Sequence, residues 1–188
     1  MGSGRPLVAA LTAAALITGC GGDDEPAAST LPTAPDTINF SSPDFKNGAK
    51  IPAALTCDGE GKPPTLVWRA VPAGQAVETV LVVEDPDAKD GAFYHWTAYG
   101  MSAATGAGLA PQGQFPAGTR NGKNSAGKDG WTPPCPPEGD GAHRYVFSLY
   151  AIKDASALEE GAAPEDVVAK LKGAVARGTF TGTYERGD

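Results

Sequence analysis

Four stretches of the chain are dense in β-branched and aromatic residues and partly alternate with a period of two: TLVWRAV (65–71), ETVLVVED (78–85), YHWTAYGM (94–101) and HRYVFSLYAI (143–152). Alternation of this kind belongs to strands, in which residues i and i+2 share one face of a sheet. The connections between them are short or rich in Gly and Pro, which leaves no place for the helical crossover that a parallel pair requires. The sheet is therefore expected to be largely antiparallel and the domain mainly β. A last strand, GTFTGTYER (178–186), closes the pattern. Before it, APEDVVAKLKGAV (163–175) carries helix signals: Pro164 early, Glu165 and Asp166 in the first turn, Val167, Val168, Leu171 and Val175 on one face, and Lys170 and Lys172 late. Residues 104–142 form the longest connection. A segment of that length in a compact domain is expected to fold over something functional.

The N-terminal segment is set aside from the fold. Arg5 precedes an apolar run over residues 7–18, shorter than the about 20 residues that span a bilayer core. The run ends in Ile17-Thr18-Gly19-Cys20, which resembles the lipobox of bacterial lipoproteins, where the cysteine is acylated and becomes the new N-terminus. That resemblance implies a signal peptide over 1–19, lipidation (palmitate among the acyl groups) at Cys20, and a cell-membrane protein on the extracytoplasmic face. The alternative is an ordinary secretory signal with Cys20 an incidental thiol. Residues 20–36 read as a disordered tether, because GGDDEPAASTLPTAPD has one large apolar side chain and too little surface to bury. The folded domain is then expected over 37–188.

Charge narrows the classes of partner. Lys and Arg total 15 against 22 Asp and Glu, for a net charge of −7. No basic cluster with interleaved aromatics appears, so nucleic acid is not an expected partner. With Cys20 assigned to the N-terminus, Cys57 and Cys135 remain of the three cysteines. In an oxidising compartment such a pair is read first as a disulfide, with two buried free thiols as the alternative.

The chemically unusual residues fall in CDGEGKPPTLVW (57–68), DPDAKDGAFYHW (85–96) and GKNSAGKDGWTPPCPPEGDGAHRY (122–145). Loops at one end of a meander converge, so Asp85, Asp87, His95, His143 and neighbouring aromatics can line one pocket. His95 and His143 lie far apart without a paired ligand motif, so neither a metal nor another cofactor is expected. No Gly-x-Ser-x-Gly elbow or similar signature points to catalysis. Imidazoles, a tyrosine hydroxyl and backbone amides of a Gly-rich loop instead suit a small anion held by hydrogen bonds alone. The plainer alternative has both histidines bonded to their own loops, with Trp96 and Tyr145 as core. With the pocket reading, both histidines are expected to gain charge near pH 6, aided by Asp85, and anion binding to weaken as pH rises.

The ordered series DPDA, HW, GKN, GW, CPP and HRYVF, with IPAALTCDGEGKPPTLVW before it and GTFTGTYER after it, resembles the phosphatidylethanolamine-binding protein family, in its bacterial and archaeal Raf-kinase-inhibitor-like branch, over about residues 38–186. The resemblance implies two antiparallel sheets with peripheral helices, one of them near the C-terminus. It also implies a pocket for a phosphate or phospholipid headgroup on Asp85, Asp87, His95, Pro136, Pro137, His143 and Tyr145, with the run ending in Gly130-Trp131 as one wall. No chemical step is implied. An inhibitory or regulatory role on a protein partner, a protease or kinase, is the alternative. Lys89 departs from the family's usual proline, and Trp131 stands where tyrosine is usual. Family members with a cysteine at position 135 tend to carry one in TCDG too, which favours the Cys57–Cys135 bond.

Overall fold

The computed structural model describes residues 1–2, 28–72, 74–104 and 106–187. Its larger sheet is built from the four long strands and one short one: β3 (Glu78–Asp85), β4 (Phe93–Ser102), β6 (Arg120–Asn121), β7 (His143–Ile152) and β8 (Ala176–Tyr184), in the order β6-β4-β3-β7-β8. A smaller sheet has the order β1-β2-β5, from Asn39–Ser41, Leu66–Arg69 and Gly108–Ala110. Strand neighbours in both sheets are antiparallel. The only α-helix among the described residues is α1 (Pro164–Ala169). The expected mainly β fold of two antiparallel sheets is therefore the observed one, with very little helix around it.

Every residue of β3 is buried, and period two sorts its side chains between two cores. Leu81 and Val83 face the small sheet, in a cluster with Phe45, Trp68, Trp96, Phe147 and Phe180. Val80 and Val82 face the other way, with Tyr99, Tyr150, Val167 and Leu171. The sheets approach closely over β8: a Cβ on Gly178 would lie 2.2 Å from the Ile38 carbonyl oxygen, and one on Gly182 would lie 2.5 Å from the Ile51 side chain. This spacing explains the alternation of Gly with Phe180 and Tyr184 along one face of β8.

Three expectations are corrected. The helix read over 163–175 stops at Ala169. The next amide bonds run from Lys170 to Val167 and from Leu171 to Val168, a tighter turn, and Gly173 (φ 80°) then redirects the chain into β8. Residues 104–142 hold β5, a 3-10 turn (Pro111–Gly113) and β6. The tether expected to run to residue 36 ends sooner. Leu31 is buried in the outer core, the Tyr150 hydroxyl donates to the Pro32 carbonyl at 2.7 Å, and Asp36 pairs with Arg177. Residues 29–36 thus form a strap across the outer face of the large sheet. One leucine suffices to hold it because its polar neighbours find partners on the domain. Cys20 and the signal segment lie outside the described residues. No helix among the described residues is long and apolar enough to cross a membrane.

Candidate functional site

The pocket lies where β3 ends and β4 and β7 begin. Asp85 is the last residue of β3, and its register partner on β4 is Phe93. Between Val83↔Trp96 and Glu84↔Tyr94 the pairing shifts by one residue, leaving His95 as the extra residue of a bulge. A bulge lets consecutive side chains share a face. His95 and Trp96 accordingly both pack on Trp131, with ring centroids 6.4 and 5.5 Å away. On β7, His143 and Tyr145 follow the period that carries Phe147 and Leu149 into the inner core. The remaining wall is the segment 132–137, whose prolines present apolar rings without amide donors.

The cavity measures about 310 Å³ and is lined by Asp85, His95, Pro136, Pro137, His143 and Tyr145 from the sequence reading, with Phe93, Lys89, Asp90, Thr132 and Asp140 in addition. Asp85 is fully engaged: Oδ2 accepts from His143 Nδ1 at 2.7 Å, and Oδ1 accepts from the Asp87 amide at 2.8 Å. His143 therefore keeps Nε2 for the cavity, where Asp140 Oδ2 lies 3.5 Å away. His95 Nδ1 meets the Thr132 carbonyl at 2.8 Å. A carbonyl can only accept, so Nδ1 carries the proton and neutral His95 offers Nε2 as an acceptor. The Tyr145 ring stands edge-on to His95, 5.1 Å between centroids. Its hydroxyl is buried yet has no hydrogen-bond partner of good geometry.

Electrostatics corrects part of the expectation. Burial lowers the pKa of His95 below 6.5, against the raising effects of the Thr132 carbonyl and of Asp85. Charging of His95 is thus disfavoured by its burial, against the expectation that it gains charge readily near pH 6. Burial, with the Asp85 and Asp87 charges, pushes the Tyr145 phenol far above its ordinary range, so it stays a donor. Lys89, whose ammonium is 3.0 Å from Asp140 Oδ1, holds that carboxyl below its usual range.

Two other expected residues are placed differently. Asp87 is not on the cavity lining. Its carboxylate grips Arg144, through Nε at 2.9 Å, Nη2 at 2.6 Å and the backbone amide at 2.8 Å. Burial would raise its pKa, but these bonds outweigh it and hold the group low. Asp87 thereby fixes the start of β7. Trp131 stands behind His95 and donates Nε1–H to the Gly61 carbonyl at 2.9 Å, and the wall proper begins at Thr132.

The loop before that wall is organised by Asn124, which donates to the Gly130 carbonyl and to Thr132 Oγ1 and accepts from the amides of Ala126 and Lys128. Cys57 and Cys135 are joined by a disulfide with Cα atoms 5.4 Å apart, and the Cys57 amide donates to the Pro134 carbonyl. The wall is thus tied to the segment before β2. Lys89 had stood out in the sequence as a departure. Asp140, within a Gly-rich run, gave no signal beyond its nearness to His143. Among the described residues, no group of three His, Cys, Asp or Glu side chains is arranged to hold a metal ion.

Comparison with known proteins agrees with this architecture. Residues 41–185 match the sequence model of the family described as phosphatidylethanolamine-binding protein. A Mycobacterium tuberculosis protein named as a lipoprotein, LppC, is 39% identical over 159 residues, covering 84% of this chain and 77% of its own. A protein of Aquifex aeolicus in the UPF0098 group is 38% identical over 146 residues, covering 76% of this chain and 85% of its own. The crystal structure of a phosphatidylethanolamine-binding protein homologue from Chlamydia trachomatis superposes with a TM-score of 0.71 at 34% identity, covering 80% of this chain and 99% of that one. YbcL of Escherichia coli gives 0.72 at 27% identity over the same shares.

Proposed function

This chain belongs to the phosphatidylethanolamine-binding protein family, and from that premise we propose that it is a membrane-tethered, extracytoplasmic binding protein for a phosphate-bearing or other anionic small ligand, such as a phospholipid headgroup, with no chemical step. The observation that carries the reading is the Tyr145 hydroxyl. It is sealed from bulk water, lies on the cavity lining and makes no well-formed protein hydrogen bond, only a weak one toward the Cys135 backbone. An unsatisfied buried hydroxyl costs about 1–3 kcal/mol, a cost that a ligand oxygen in the cavity removes. Beside it stand the Lys89 ammonium and His143 Nε2, which donates when the imidazole is protonated. Neutral His95 Nε2 suits a protonated oxygen of the ligand. Asp85 does not oppose an anion as a bare charge would, because both its oxygens are already bonded. Tethering rests on the lipobox-like ITGC and on the lipoprotein name of the mycobacterial relative.

Calorimetric titration with inorganic phosphate and with phosphoethanolamine tests the pocket. Tyr145→Phe is expected to weaken binding by about fivefold to tenfold, the worth of one hydrogen bond. Its melting temperature should be unchanged or slightly higher, since no well-formed protein hydrogen bond is lost. Equal binding by wild type and variant removes Tyr145 from the site, and no binding by either turns the reading toward a protein partner. In the native host, Cys20→Ser is expected to abolish palmitate labelling and release the protein from the membrane fraction. Retained label would overturn the anchor.

A further inference from the structure

The mouth of the cavity holds a carboxylate that the chain itself supplies. Asp140 Oδ1 is 3.0 Å from Lys89 Nζ, and Oδ2 is 3.5 Å from His143 Nε2. One oxygen on an ammonium and the other toward an imidazole nitrogen reproduce two contacts that an entering oxyanion would make. The backbone here is suited to movement, since Gly139 and Gly141 on either side of Asp140 both have positive φ (74° and 80°). Lys89 is mostly solvent-exposed, 70% against 22% for Asp140. Ion pairs of that exposure are weak and easily exchanged.

We propose that Asp140 is a resident occupant of the anion site, clamped by Lys89, and that a ligand binds by exchange, taking Lys89 and His143 Nε2 from it while Asp140 turns out to solvent. The inference rests on the anion-pocket reading above and adds its entry rule. Exchange favours ligands with at least two acceptor oxygens on one centre, as on a phosphoryl group, because a single-point anion such as chloride cannot replace both contacts. Lys89 thereby acquires two successive roles, holding the pocket closed to weak anions and then holding the ligand.

The test is calorimetric titration of inorganic phosphate into wild type, Asp140→Asn and Asp154→Asn. Asp154 lies exposed just beyond the end of β7 opposite to His143, off the cavity lining, and reports the general effect of removing one negative charge. Asp140→Asn is expected to bind phosphate about tenfold more tightly, the order expected for losing a competing unit charge a few ångströms from the ligand, while Asp154→Asn changes affinity less than about twofold at 0.15 M salt, where exposed charges are screened. Chloride should compete poorly with phosphate in all three proteins. The carboxyl ¹³C resonance of Asp140 in the wild type should move toward that of a free aspartate as phosphate is added. Equal or weaker binding by Asp140→Asn, an equal gain in Asp154→Asn, or an unmoved Asp140 resonance overturns the exchange and leaves the anion pocket standing. Absence of phosphate binding in all three proteins overturns both.

Discussion

Glu84 and Asp85 are consecutive carboxylates at one end of the same strand, 0% and 4% exposed, on opposite faces of the large sheet. Their surroundings differ in kind. On the outer face the chain completes the site: Ser29 Oγ donates to Glu84 Oε1, and Thr30 Oγ1 donates to Oε2 at 3.0 Å, while Leu31 covers the strand beside them. On the inner face Asp85 is bonded to a histidine whose second nitrogen opens on a cavity, with the Tyr145 hydroxyl, which lacks a well-formed hydrogen bond, nearby. Buried polar groups must be satisfied by something. Where local chain satisfies them the result is structure, and where it does not the result is a site. Two adjacent residues of one type thus take opposite roles, decided by what lies across from each.

Three experiments would break or sharpen this contrast. The largest effect is expected from removing the Cys57–Cys135 bond, which holds the wall of the inner site. With a loop of 78 residues closed, Cys57→Ser with Cys135→Ser should cost on the order of 4 kcal/mol and lower the melting temperature by about 10 °C. Phosphate binding should fall with it, because the segment 132–137 loses its tie. Unchanged binding would mean that the wall holds its shape without the bond.

Leu31→Ala comes next, at about 2–3 kcal/mol by denaturant melts, for a buried leucine in the strap. Phosphate affinity should not change, since the strap and the cavity lie on opposite faces. A matching loss of affinity would show that the faces act as one unit.

The smallest effect concerns His95. Its pKa is lowered in the folded protein, so below pH 6.5 the unfolded chain takes up a proton that the folded one resists, and stability falls as pH falls through that range. Well above pH 6.5 both states are neutral at this position and it contributes no slope. His95→Gln is expected to lose less stability than wild type between pH 7.5 and 5.5, by at most about 1.4 kcal/mol at the lower pH. Parallel curves would mean that His95 is not held neutral.

The long strands were legible because β3, β4, β7 and β8 run eight to ten residues, long enough for their β-branched and aromatic content to stand out from the Gly/Pro-rich connections. β1, β5 and β6 run two or three residues, below the length at which alternation can be seen. The helix was read too long because Leu171 continues the apolar spacing of Val167 after the hydrogen bonding has changed. The strap was read as tether because composition counts apolar residues and cannot see that Ser29 and Thr30 have a buried carboxylate waiting. At the site, Asp85, His95, Pro136, Pro137, His143 and Tyr145 do gather round one cavity. Asp87 is drawn away by Arg144, whose position follows from the β3–β7 register, and that register is a property of the folded sheet. Asp140 faces Lys89 only because two loops separated by half a domain close on each other.

The strap also sets a leash. Had the chain been free up to residue 36, a lipid at Cys20 could have let the domain drift roughly 60 Å from the bilayer, at about 3.5 Å per residue. Because the chain is fastened from Ser29 onward, whatever the conformation of the segment between, the distance from Cys20 to Ser29 cannot exceed about 30 Å. The fastening point is Glu84, one residue from Asp85, so the end of the domain that the leash pulls on is the end that carries the cavity. With Cys20 acylated as proposed, the end of the domain that carries the cavity stays within reach of the bilayer surface, at most about 30 Å of chain from the acylated cysteine.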